Sequence, residues 1–196
     1  MILEEFLITS FQDVKGKDRV NRLHAVLLDE LLNTNPRFAE YNWMFEQRLK
    51  NDAFGGTFDL DMVGYDSEGN IKVVILDKAY QSSVNKNIKN YANTTIGEAA
   101  RLYYAPECNS IEKIIFVSVL PRLAPRFNTA GNVTGFDDVL SAKSRTKIDD
   151  VLQRQYHGAV DSIDLFFDID DVTKGIVKDN YKEISISNLT PVPTLW

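Results

Sequence analysis

One cysteine, Cys108, and two histidines, His24 and His157, are all that this chain of 196 residues carries of the usual zinc ligands. A lone cysteine excludes an internal disulfide framework and fits a reducing compartment, so a cytoplasmic protein is expected. Structural zinc sites draw four ligands from Cys and His sets, and these are too few, so any metal is expected among oxygen ligands. Cys108 itself reads as a small buried side chain rather than a nucleophile. No apolar run has the length of a membrane span. The opening MILEEFLITSF is apolar but holds Glu4 and Glu5 and lacks a basic leader, which predicts no export signal. Basic charge is also short: the net charge of −6 argues against a surface built throughout for nucleic acid. There is no G-x-G-x-x-G, no phosphate-binding G-x-x-x-x-G-K-[ST] and no nucleophile elbow, so no nucleotide cofactor is expected and a small-molecule α/β enzyme is the weaker class.

What is present suits a globular protein: 44% of residues are hydrophobic and 11% aromatic, with no repeat and no linker rich in Pro, Gly and Ser. A single domain over residues 1–196 is the simplest organisation. Val20, Leu23, His24, Leu27, Leu28 and Leu31 recur at helical spacing and stop before NTNP. His24 falls on that apolar stripe, where a packed, hydrogen-bonded histidine is expected. EYNWMFEQRL reads as a strand. GTFDLDMVGY alternates, which sends Phe58, Leu60 and Met62 to one face and Asp59 and Asp61 to the other. DSEGN is a turn, and IKVVILDKA is an apolar strand that completes an antiparallel hairpin. Helical periodicity returns from Val84 to about Tyr104, with Lys86, Lys89, Asn90 and Asn93 largely off its apolar stripe. IEKIIFVSVL is a further strand ended by PRLAPRF, NTAGNVTGF is loop-like, KSRTKIDDVLQRQY is a short helix, and DSIDLFFDI and KEISISNL are strand candidates. The fold class expected is α/β, a mixed central β-sheet flanked by helices.

Asp59, Asp61, Asp77 and Lys78 lie on the two strands of the hairpin. Carboxylates converging from adjacent strands suit Mg²⁺, which keeps several waters and binds phosphate oxygens, while a lysine can steady the phosphate or the attacking water. In these residues the chain resembles the PD-(D/E)xK nuclease superfamily, whose restriction-endonuclease-like core runs α-β-β-β-α-β. TFDLDMVGYDSEGNIKVVILDKAYQ supplies the first acid as Asp59 or Asp61, Asp61 being nearer the strand centre, and the second motif as Asp77 and Lys78. NKNIKNY is similar to the glutamine-x-x-x-tyrosine element of the exonuclease-like branch, with Asn87 in the place of glutamine and Tyr91 matching. The resemblance spans roughly residues 17–120.

What the resemblance implies is a Mg²⁺-dependent DNA endonuclease, with Mn²⁺ as a possible substitute. Asp61 and Asp77 would hold the metal with Asp59 in support, Lys78 would orient water or phosphate, and Gln81 would hydrogen-bond a phosphate or water. Lys86, Asn87, Lys89, Asn90 and Asn93 would contact the DNA backbone. Arg122, Arg126, Lys143, Arg145 and Lys147 would serve any base reading. A homodimer is expected if both strands are cut symmetrically. Asp18 or Glu46 is a further candidate acid. The motif departs from the family at one point: Asp77 and Lys78 are adjacent, so on a regular strand they face opposite sides, and Leu76 stands two residues before the lysine. A bulge near Leu76, a fold with weak or no catalysis, and a change that disabled an enzyme all remain open. The alternative function is a nuclease-like module that binds DNA or protein.

Overall fold

The computed structural model describes residues 2–12, 18–80, 82, 84–130, 132–139, 143–170 and 184–195, with side chains described except at 11, 12, 18–20, 85–89, 143–147 and 149. In chain order these form α1 (Leu3–Gln12), α2 (Asp18–Thr34), a 3-10 turn (Pro36–Glu40), β1 (Asn42–Leu49), β2 (Phe58–Tyr65), β3 (Ile71–Ala79), α3 (Val84–Tyr103), a second 3-10 turn (Pro106–Cys108), β4 (Lys113–Pro121), β5 (Leu123–Phe127), β6 (Val133–Asp138), α4 (Lys143–Gln155), β7 (Val160–Ile169) and β8 (Ile186–Ser187). None of the described helices is long and apolar enough to cross a membrane.

Six strands make one mixed sheet in the order β1-β2-β3-β4-β7-β8. β1, β2 and β3 form an antiparallel meander, α3 carries the chain to β4 parallel to β3, and β7 adds parallel to β4. The turn between β2 and β3 forms as its residues dictate. Asp66 Oδ1 accepts the N–H groups of Glu68 and Asn70, at 2.9 and 2.8 Å, and Gly69 takes a φ of 82° that glycine alone adopts without strain. α2 stops where the sequence requires it, because Pro36 disfavours a helical Asn35 and starts the 3-10 turn instead.

Apolar side chains fill both faces of the sheet. Leu3, Phe6 and Leu7 of α1 and Leu23, Leu27 and Leu31 of α2 pack with Met62, Val73, Ile75, Val117 and Leu165 on one face. On the other, Tyr91, Ala99 and Leu102 of α3 and Ile148 and Leu152 of α4 pack with Leu60, Val63, Val74, Leu76 and Phe116. Each fully buried aliphatic side chain contributes about 1.5–3 kcal/mol relative to exposure. The architecture is thus α/β with a mixed sheet flanked by helices.

Three segments differ from the sequence reading. The N-terminal stretch is a helix, since Leu3, Phe6 and Leu7 share one face and bury it against α2. The segment read as strand end and loop is a second, two-stranded sheet of β5 and β6, which tolerates Pro125 because the ladder is only two strands wide. KEISISNL yields only the two-residue β8 among the described residues; beyond it the chain is tied down by side chains. Buried Asn35 donates to the Pro193 carbonyl at 3.1 Å and accepts the Leu195 N–H at 2.6 Å.

Candidate metal centre

α2 places His24 on its buried stripe, with no exposed surface, against Glu46 in the middle of β1 and Asp77 late in β3. Nδ1 lies 2.6 Å from Asp77 Oδ2 and Nε2 lies 2.7 Å from Glu46 Oε1. Ionised carboxylates accept only, so a ring that meets both is an imidazolium donating from each nitrogen. Burial acts to lower the His24 pKa, but the hydrogen bonds and charges of Asp77 and Glu46 outweigh it and carry it to about 9. The Phe45 ring leans over the imidazole, with centroids 6.1 Å apart.

Asp61 joins from β2: its Oδ2 accepts the backbone N–H of Asp77 at 2.8 Å. Burial, and then the Asp77 charge, push the Asp61 carboxyl up to about 6. Burial likewise raises Asp77, with the His24 contact opposing. His24, Glu46 and Asp61 bring one potential ligand atom each within 4.8 Å of the others, the histidine only once a ring nitrogen gives up its proton. Three carboxylates around one imidazolium also leave excess negative charge for a cation to neutralise.

An irregularity at one level of the sheet makes this convergence possible. Glu46 has a φ of 50°, in the left-handed region, and the β1–β2 register passes from Phe45↔Met62 to Gln47↔Leu60 with no Glu46↔Asp61 pair. The β2–β3 ladder ends at Met62↔Ile75. Leu60 and Met62, two residues apart, enter opposite cores, so the alternation slips by one at Asp61. The expectation that Phe58, Leu60 and Met62 share a face therefore fails at Met62. The slip lets Asp61 and Met62 both lean toward α2, and the left-handed backbone turns Glu46 to the same side. A non-glycine residue there costs on the order of 1–3 kcal/mol, and such positions gather at functional sites.

The other expected site residues are placed elsewhere. Asp59, two-thirds exposed, pairs with Arg48, whose hydrogen bonds hold its carboxyl below the usual range. Lys78 faces α3, with Nζ 3.7 Å from Glu98 Oε2, on the side of the sheet opposite Asp77. No bulge at Leu76 brings it back, because the β3–β4 register runs unshifted from Val73↔Lys113 to Ala79↔Val119. The side chain that follows Asp77 on its own face is Ala79, which packs against the α2-side core. Tyr91 is buried and accepts a hydrogen bond from Ser118 Oγ at 2.9 Å, and Asn90 and Asn93 are exposed on α3, away from the centre's face. Arg122 donates to the Asn188 carbonyl at 2.7 Å and holds the C-terminal segment, while Arg126 lies 3.6 Å from Asp137. Gln81 and the side chains of Asp18, Lys86, Asn87, Lys89, Lys143, Arg145 and Lys147 lie outside the described residues.

Sequence reasoning placed His24 correctly as packed and hydrogen-bonded but missed that Asp77 and Glu46 are its partners. The available signal was a single histidine on a stripe otherwise made of leucine and valine. No protein-family model, no curated protein and no solved structure matches the chain.

Proposed function

We propose that the chain is a metal-dependent phosphodiesterase acting on DNA, with a divalent cation held by Asp61, Asp77 and Glu46, with His24 orienting the two acids it bonds, and with a core of the restriction-endonuclease-like type. The observation that carries this reading is the meeting of Asp61 with the Asp77 backbone and of His24 with both Asp77 and Glu46 on one face of the sheet. The order α2-β1-β2-β3-α3-β4, a helix, an antiparallel meander and a helical crossover to a parallel strand, supports the fold assignment. A bound cation would polarise the phosphoryl oxygen and activate water there. A carboxylate set with water suits Mg²⁺ and Mn²⁺ alike. His24 holds Asp77 and Glu46 in place; α2 and Phe45 exclude water from one side. The basic and amide side chains at the start of α3, Lys86, Asn87 and Lys89, remain proposed contacts to the phosphate backbone, and a homodimer remains proposed for symmetric cutting.

A second reading, a binding module with weak or no hydrolysis, is favoured by one observation. Ala79 stands where a cation on the Asp77 face belongs, and Lys78 is engaged with Glu98 across the sheet. Cleavage of single-stranded, linear and supercoiled DNA with Mn²⁺, Mg²⁺ or EDTA separates the two. Metal-dependent cutting lost in Asp61→Asn and Asp77→Asn supports the enzyme. No cutting by the native chain, with activity gained in Ala79→Lys, identifies a binding module on a nuclease-like frame. No cutting in either chain and no DNA binding would overturn both readings.

A further inference from the structure

Phe54 is 77% exposed, the most exposed large apolar side chain among the described residues, and its backbone is firmly braced. The turn joining β1 to β2 is built around Asp52, whose carboxylate is nearly inaccessible. Its Oδ1 accepts the N–H groups of Phe54 and Gly56 at 2.8 and 2.9 Å, and its Oδ2 accepts Arg101 Nε at 2.6 Å. Arg101 also donates to the Thr57 carbonyl at 2.9 Å, accepts the Ala53 N–H at its own carbonyl, and lies 4.4 Å above the Phe58 ring. The start of the turn is fixed too, since Glu107 Oε1 accepts the N–H groups of Lys50 and Asn51. Gly55, with a φ of 77°, makes the bend, and a Cβ added there would meet nothing within 4 Å. The tip is open, rigid and aromatic.

Its position gives this tip a use. β1 carries Glu46 and β2 carries Asp61, and the turn lies at the end of both strands nearest those residues. Phe58, just past the turn, lies three positions from Asp61 on β2, roughly 10 Å at about 3.3 Å per residue. Lys50, at the start of the same turn, is exposed and in no ion pair among the described residues, and Arg48, near the end of β1, is exposed and paired with Asp59. Tyr104, also exposed, meets Tyr103 edge-on and Tyr156 at a tilt, whereas Phe54 has no ring neighbour among the described residues.

Resting on the phosphodiesterase reading, we propose that Phe54 is a stacking platform for an unpaired base, so that the substrate is single-stranded nucleic acid or a strand freed from its complement. A phenyl ring stacks only on a base face that is free, and within a duplex both faces are covered by neighbouring bases. A site for a single strand joins a ring that takes a base to a cation that takes a phosphate, and Phe54 and the exposed Lys50 stand four residues apart on one turn.

Fluorescence anisotropy in EDTA, where no metal-dependent cutting proceeds, tests this with a labelled single-stranded oligonucleotide and a blunt duplex of equal length. Phe54→Ala should weaken single-strand binding by about 5- to 150-fold, the equivalent of about 1–3 kcal/mol of stacking, and leave duplex binding unchanged. Phe54→Trp should retain it, and circular dichroism should show both variants folded. Equal single-strand affinity in Phe54→Ala and the native chain, an equal loss on both substrates, or no binding of single strand by the native chain would each overturn the platform. Mn²⁺ binding measured on the same samples keeps the two proposals apart. If it persists while Phe54 proves indifferent, the platform fails and the metal centre stands.

Discussion

At the scale of the residue, His24 decides the charge of the centre. Its folded pKa of about 9 lies above the ordinary value of 6.5, so it is the protonated ring that the fold favours. The stability this contributes is fully present below pH 6.5 and is lost as pH rises through about 9. In EDTA, the His24 ring resonances should therefore titrate near pH 9 by NMR; a midpoint near 6.5 would show that the two carboxylates do not hold it. Glu46 makes a backbone prediction. With φ at 50°, Glu46→Gly should be more stable than Glu46→Ala by about 1 kcal/mol in urea unfolding, since both lose the carboxylate and only glycine takes the left-handed backbone freely. Equal stabilities would place the strain elsewhere. Asp61 and Asp77 were legible as acids on neighbouring strands. Glu46 was legible as a candidate acid, but its inward turn was not, because that turn comes from a local backbone reversal that strand alternation does not encode. His24 was legible as buried and not as paired, because its partners come from 22 and 53 residues away.

At the scale of the element, the long periodic segments declared themselves: α2, β2, β3, α3, β4 and β7 all lie where apolar spacing puts them. The exceptions have physical causes. α1 is short, and its apolar residues Leu3, Phe6 and Leu7 become a buried face only once α2 supplies the other side. β5 and β6 are written in prolines, glycine and polar residues that read as loop, and they form strands by pairing with each other rather than from propensity. The slip at Asp61 is the element-level event that creates the centre, and a regular period of two conceals it. The C-terminal segment is held by side chains in place of a ladder, so its stability should concentrate in few residues. Asn35→Ala strips partners from the Pro193 carbonyl and the Leu195 N–H and should cost about 1–3 kcal/mol in urea unfolding. A change of a few tenths of a kcal/mol would mean that the apolar contacts of Val192 and Leu195 suffice to hold the segment.

At the scale of the whole molecule, one mixed sheet separates two chemistries. The face toward α1 and α2 carries His24, Glu46, Asp61 and Asp77; the face toward α3 and α4 carries Lys78 with Glu98 and Tyr91 with Ser118. The adjacent Asp77 and Lys78 of the sequence motif are thus divided between them. The account stands on the first face being a cation site in a chain whose overall charge is −6. Electron paramagnetic resonance of Mn²⁺ titrated into the protein tests that most directly, since the free-ion signal falls as the ion is bound. The native chain should remove Mn²⁺ from the free pool at one site per molecule, with Asp61→Asn and Asp77→Asn folded but unable to do so and Asp59→Asn unaffected. A free-ion signal that is the same with the native chain and with both centre variants would contradict it.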